Sequence, residues 1–232
     1  MNGPPRTTLG VFAKFWQPGA VKTRLAAELG DPAAAELARQ FLQTTLDRLV
    51  GLAASHEVCF TPDGRHAEFR AAVPPEWTLS PQAEGDLGRK MEAFFERAFA
   101  LGAERVVLLG SDTPSVPREY VVEALAALQR ALVVLGPALD GGYYLVGARQ
   151  SPPPIFHDIA WSTPAVWQQT LAALHQAGLR EGAGYALLPP WQDVDTLDDL
   201  RTLRQELAGC SDKANPLTRL AAAIDRVLGS GG

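Results

Sequence analysis

Short apolar runs alternate along this chain with stretches whose apolar residues return every three or four positions, so strands and helices are expected to alternate. Leu9-Gly-Val-Phe-Ala13 reads as the first strand. Asp31-Pro32 then opens a helix, with Asp as N-cap and Pro at the first helical position. Its buried side is Leu37, Phe41, Leu42, Leu46 and Leu49. Residues 57–61 form a second strand. A helix starting near Asp86 buries Leu87, Met91, Phe94, Phe95 and Phe99, the spacing of a core stripe rather than of a base-stacking platform. Arg105-Val-Val-Leu-Leu109 is a central strand, and a helix follows over about 117–129. Ala131-Leu-Val-Val-Leu-Gly136 is another buried strand, and a further one follows Gly141-Gly142. Helices are expected near 164–177, 197–207 and 216–228, with a short strand over 185–188. The proline-rich stretch 151–154 is too short to link domains, and the tail from Gly229 is expected to fray.

Strands alternating with helices imply an α/β fold: a mostly parallel central sheet with helices on both faces. A chain of 232 residues fits one such domain, with a core over about 9–208 and a C-terminal helix beyond it. Apolar residues make up 47 % and charged ones 20 %, enough for a sizeable core. A formal net charge of −5 argues against a nucleic-acid surface, which needs clustered Lys and Arg. The two cysteines, Cys59 and Cys210, show no metal-type pattern. Cys59, inside Glu57-Val-Cys-Phe60, reads as a reduced core thiol, which suits a cytoplasmic protein. No apolar run approaches the roughly 18 residues of a membrane span, and the first six residues lack a signal core. No membrane partner is expected.

Chemistry concentrates where strands end. Gly110-Ser111-Asp112-Thr113-Pro114 directly follows the central strand, at the edge where open α/β sheets bind ligands. Asp193-Val-Asp195-Thr196 stands near the C-terminus. Taken singly, Asp112 is equally a helix cap or an Asx turn with Pro114, and Asp195 a cap for the helix near Leu197. If the two converge, they make an oxygen-rich seat for a divalent cation holding a diphosphate. After the first strand comes Ala13-Lys-Phe-Trp-Gln-Pro-Gly-Ala-Val-Lys-Thr-Arg-Leu25, which is neither a Walker A loop nor a GxGxxG turn. What it offers is a Pro18-Gly19 turn followed by Lys22, Thr23 and Arg24, either a solvated basic turn or a phosphate grip. Position after the first strand favours the grip. Asp140-Gly141-Gly142 is a tight hairpin turn, or a loop that lets a ligand approach the backbone while Asp140 accepts from sugar hydroxyls.

In order along the chain stand KxxxPGxVKTRL, GDLG, GSDxP, GPAxDGGYYLVG, WST and DVDT. This ordered set, spanning about residues 9–200, resembles the DUF2064 family, the selenodomain-associated transferase 1 proteins. The resemblance implies a Rossmann-like GT-A fold of the nucleotide-diphospho-sugar transferase kind and a glycosyltransferase activity. It also implies kinship with the guanylyltransferase that activates 2-phospholactate. Carried over by position, Lys14, Gly19, Lys22, Thr23 and Arg24 would face phosphates. Gln82, Gly85, Leu87 and Gly88 would lie along the base, and Asp112 and Asp195 would hold Mg²⁺ or Mn²⁺. Asp140, Gly141, Gly142, Trp161, Ser162 and Thr163 would border the second substrate, with Asp112, Asp140 and Lys22 as catalytic candidates. Ser115 replaces the family's usual acid, and Gly88-Arg89-Lys90-Met91 replaces its GxRM. Both changes bear on substrate preference. Three functions are thus expected in order: glycosyl transfer from a nucleotide sugar, nucleotidyl transfer from an NTP to a phosphorylated metabolite, and nucleotide binding without catalysis. Each needs a nucleotide-containing small molecule.

Overall fold

The computed structural model describes residues 6–150 and 154–229. The segment 1–5, most of the proline-rich connection and the tail after Gly229 lie outside them. The elements in chain order are β1 (Thr7–Lys14), α1 (Thr23–Leu29), α2 (Asp31–Leu49), β2 (Ser55–Thr61), α3 (His66–Ala72), β3 (Thr78–Pro81), α4 (Leu87–Ala100) and β4 (Arg105–Gly110). They continue with α5 (Arg118–Ala127), β5 (Val133–Pro137), β6 (Tyr143–Ala148), α6 (Val166–Gln176), β7 (Tyr185–Leu187), α7 (Leu197–Glu206) and α8 (Pro216–Gly229). Seven strands form one sheet in the order β3-β2-β1-β4-β6-β5-β7. β6 runs antiparallel to both neighbours, and the other pairings are parallel. The expected Rossmann-like α/β architecture is therefore the one observed.

Period-two alternation assigns each strand residue to a face. Val107 and Leu109 pack with Leu42, Leu46, Phe69 and Val121 from α2, α3 and α5. Val106 and Leu108 pack on the opposite face with Met91, Phe94, Phe95 and Leu174 from α4 and α6. Each fully buried Leu or Phe contributes about 1.5–3 kcal/mol, so both layers stabilise the sheet strongly. A third cluster lies off the sheet, where Leu25 of α1 meets Phe41, Leu200, Leu203, Leu220 and Ile224 from α2, α7 and α8.

Several local expectations are corrected. Gly30, not Asp31, is the N-cap of α2, so Asp31 and Pro32 lie inside its first turn. Helices α1 and α3 and strand β3 were not anticipated. Leu87 is 41 % exposed and belongs to a cleft wall, not to the α4 core stripe. Cys59 is buried as expected, and desolvation pushes its thiol up to about 12, which keeps it protonated and unreactive.

The sheet order fixes where a ligand can sit. From β1 the chain steps outward through β2 and β3, then returns to place β4 on the other side of β1. Loops leaving the C-terminal ends of β1 and β4 diverge there and open a crevice. Lys14 ends one of those strands and Gly110 the other.

Candidate active site

A cleft of about 850 Å³ occupies this crevice, within the usual range for small-molecule sites. Its walls include Lys14, Lys22, Thr23, Arg24, Gln82, Gly85, Leu87, Asp112, Trp161, Ser162 and Asp195, most of the candidates named from the sequence. Asp193, Thr61, Lys90, Met91 and Tyr143 line it as well.

Two motifs far apart in sequence meet at one atom. Lys22 Nζ lies 2.6 Å from Asp112 Oδ1 and 2.9 Å from Asp195 Oδ1, and donates to the Val194 carbonyl at 2.7 Å. Val194 N in turn donates to the Asp112 carbonyl at 3.0 Å, which staples the two loops. Burial alone would lower the Lys22 pKa, but Asp112 and Asp195 outweigh it and hold the amine above its usual value.

Local chemistry leaves both carboxylates free for this role. Thr196, not Asp195, caps α7 through a capping box with Asp199, whose carboxylate accepts from the Asp195 and Thr196 amides. Val194 is buried, so Asp193 and Asp195 on either side of it turn together towards the cleft. Desolvation pushes the Asp193 carboxyl up to about 7, reinforced by Asp112, Asp140 and Asp195 and opposed by Lys22.

That shift predicts a pH-dependent stability. The folded pKa lies above the ordinary value of 3.8. Ionising Asp193 therefore costs stability, a cost absent near pH 4 that grows as pH rises and is complete above about pH 7. Asp193→Asn removes it. Thermal melts should show the variant more stable at pH 8 by about 4 °C or more, since moving a carboxyl from 3.8 to about 7 is worth up to about 4 kcal/mol. The gain should vanish near pH 4; a gain independent of pH would assign the effect to packing.

Other candidates take structural positions. Asp140, Gly141 and Gly142 close the β5–β6 hairpin rather than the cleft: Asp140 Oδ1 accepts from Gly142 N at 3.0 Å, the tight-turn alternative. Gly141 has φ 95°, and a β-carbon there would stand 2.9 Å from the Pro164 carbonyl. Asp140 reaches the site only through its field on Asp193. A β-carbon on Gly88 would stand 2.4 Å from Trp161 Nε1 and 2.6 Å from the Phe156 carbonyl, so this glycine seats the Trp161 loop against α4 instead of lying along a base. Thr163 Oγ1 donates to the Ala160 carbonyl at 2.7 Å, away from the cleft. Gly19, with φ 79°, bends the loop before Lys22 without lining the cleft. Lys22 departs from its expected role, its three donors held by protein oxygens. Lys14 Nζ donates to the Ala20 carbonyl, whereas Arg24 and Lys90 form no ion pair among the described residues.

Lys90, read in the sequence only within Gly88-Arg89-Lys90-Met91, and Tyr143, read only as the end of the Asp140-Gly-Gly-Tyr loop, both line the cleft. Lys90 follows Leu87 by one helical turn on the same face of α4. Tyr143 meets Trp161 edge-on, ring centroids 6.2 Å apart. Asp193 was legible as the other acid of DVDT, on the same side as Asp195.

The donor set suits a hard divalent cation. Two carboxylate oxygens converge on one point, as Mg²⁺ sites completed by substrate phosphates require. Among the described residues, no group of three or more His, Cys, Asp or Glu could hold a metal alone. The phosphates would have to supply the remaining oxygens.

Comparison with known proteins identifies the family and the fold. Residues 45–163 match the family described as "Uncharacterized protein conserved in bacteria (DUF2064)". A "putative nucleotide-diphospho-sugar transferase" from Desulfovibrio desulfuricans G20 is 37 % identical, with a TM-score of 0.85 over 96 % of this chain and 98 % of that one. CMP:2-keto-3-deoxy-manno-octonic acid synthetase, solved with CTP, is 13 % identical with a TM-score of 0.57, covering 88 % and 98 % of the two chains. A cytidylyltransferase from Leptospira borgpetersenii serovar Hardjo-bovis is 13 % identical with a TM-score of 0.54, covering 97 % and 96 %. The last two share the fold alone. No curated protein matches the chain. Among the described residues, no helix is long and apolar enough to cross a membrane.

Proposed function

The chain belongs to the DUF2064 family, and on that premise we propose a metal-dependent transferase that takes its donor from a nucleoside-diphosphate sugar. Its kinship with transferases makes it a nucleotide-using transferase; the sugar donor and the metal are our reading. One observation carries that reading: Asp112 and Asp195 point at a common position within 2.9 Å of each, beside the cation-lined cleft at the switch point of the sheet.

Asp112 and Asp195 would hold the divalent cation, which when bound neutralises the leaving diphosphate. Arg24 and Lys14 line the cleft where they could pair with phosphate oxygens, and among the described residues the Arg24 guanidinium forms no ion pair. Gln82 and Gly85 line the same cleft and would take a nucleobase edge. Gln82 already uses its side-chain amide on the Cys59 carbonyl, 3.0 Å away, which fixes its rotamer. Trp161, Ser162 and Tyr143 line the cleft where the acceptor would be positioned, with the Tyr143 and Trp161 rings edge-on to each other.

The test is product analysis. The protein with Mn²⁺ is offered a panel of nucleotide sugars and, separately, NTPs with phosphorylated metabolites. Release of a nucleoside diphosphate from a nucleotide sugar is the expected outcome. Pyrophosphate release from an NTP with no sugar turnover would replace the reading by nucleotidyl transfer. Binding with neither product would leave a nucleotide-binding module.

A further inference from the structure

We propose that Lys22 is a built-in counter-cation that holds the seat between Asp112 and Asp195 and yields it when a divalent cation arrives. Its charge is thereby released to the phosphates of the incoming nucleotide. The inference rests on the metal reading given above.

The geometry of Lys22 resembles a filled coordination site. An ammonium has three donors, and all three have a short partner: Asp112 Oδ1, Asp195 Oδ1 and the Val194 carbonyl. The Lys22 side chain is only 4 % exposed, whereas Asp112 and Asp195 are 52 % and 40 % exposed. The lysine thus approaches from the protein side, and a cation would approach from the cleft. Behind the ammonium lies the Phe41 ring, its centroid 5.6 Å away. The Lys22 backbone is left-handed, φ 46° and ψ 46°, a conformation unfavourable for a residue with a β-carbon. It persists here while anchoring the side chain across 173 positions of sequence.

Each aspartate still offers an oxygen from the cleft side, so a cation and the ammonium would share the same two carboxylates. Mg²⁺ needs carboxylate oxygens at about 2.0–2.1 Å, and an ammonium hydrogen-bonded to those carboxylates would stand a few ångströms from it, where like charges repel. Loading the seat therefore weakens the hold on Lys22 and favours its release. Its side chain already borders the cleft together with Lys14, Thr23 and Arg24. Once freed from the carboxylates, its flexible four-carbon stem can turn Nζ further into that cleft. Metal entry and phosphate neutralisation become one coupled event. With Lys22 neutral, Asp112, Asp193 and Asp195, with Asp140 nearby, face one another without it and should bind a divalent cation more tightly.

The test uses Mn²⁺ alone, by calorimetry, on the wild type, Lys22→Met and Lys22→Gln. Both variants should bind Mn²⁺ about tenfold or more tighter than the wild type, because a competing charge has gone. Equal or weaker binding overturns the proposal while leaving the metal reading intact. No Mn²⁺ binding by any of the three, with or without a nucleoside diphosphate, overturns the metal reading itself. A wild-type measurement guards against misfolding of the variants. An amine-acylating reagent read by mass spectrometry should leave Lys22 largely unlabelled without metal and label it faster in saturating Mn²⁺. A rate unchanged by Mn²⁺ overturns the proposal.

Discussion

Asp112→Asn should leave the protein folded and lower transfer by at least about a hundredfold. A metal's charge stabilisation contributes several kcal/mol, and removing a comparable single electrostatic group costs about 10²–10³ in turnover. Folding should survive because Val194 N still donates to the Asp112 main chain and the Lys22 ammonium, losing Asp112, keeps Asp195 and the Val194 carbonyl. The amide keeps the shape, loses the charge and is a poorer ligand for a hard cation. Steady-state turnover with a circular-dichroism melt checks both halves. Near-normal turnover in a folded variant would remove Asp112 from the site.

Gly88→Ala should be the most damaging change that touches no charge. The added methyl would overlap the Phe156 carbonyl as well as the Trp161 ring, and a carbonyl on a packed loop cannot step aside as a side-chain tip can. Overpacking of this kind costs about 1–3 kcal/mol, partly offset by alanine's better helix propensity. A melting temperature lower by about 2–8 °C is expected. Turnover should fall as well, since Trp161 would be pushed from the cleft wall. Adding Trp161→Phe should recover part of the stability by removing one of the two overlaps. A variant as stable and active as the wild type would show that α4 and this loop are not tightly seated.

Much of this architecture was legible because it rests on local signals. The β1 and β4 runs, the Asp86 cap of α4 and the spacing of Phe94 and Phe95 are patterns a sequence displays directly. Helix α1 was illegible for a physical reason. It has seven residues and no side-chain cap, and its first turn follows a left-handed lysine. What holds it is Leu25 packed against α2, α7 and α8, a contact between distant segments. The direction of β6 was legible only as an alternative, since Asp140-Gly141-Gly142 could close a hairpin while Tyr143-Tyr-Leu-Val146 itself carries no orientation. Its short connection from β5 decides the matter, being too short for a parallel crossover.

In the site, the aspartates were readable because each follows an apolar anchor, Leu109 for one and Val194 for the other. The target of Lys22 was not readable, since charge and position after β1 fit a phosphate as well as a carboxylate pair. Asp140-Gly141-Gly142 stayed open for a related reason: a glycine pair is equally the mark of a ligand-facing loop and of a hairpin. The backbone bonds of this loop make it a hairpin.

The most direct measurement is a calorimetric titration of the wild type with UDP, GDP, CDP and ADP, with and without Mn²⁺, repeated on Asp112→Asn and Asp195→Asn. The account predicts that at least one nucleoside diphosphate binds the wild type about tenfold or more tighter with Mn²⁺, a gain of about 1.4 kcal/mol, and that both variants lose this gain. Affinity that is the same with and without Mn²⁺, or a gain that survives both substitutions, would contradict it.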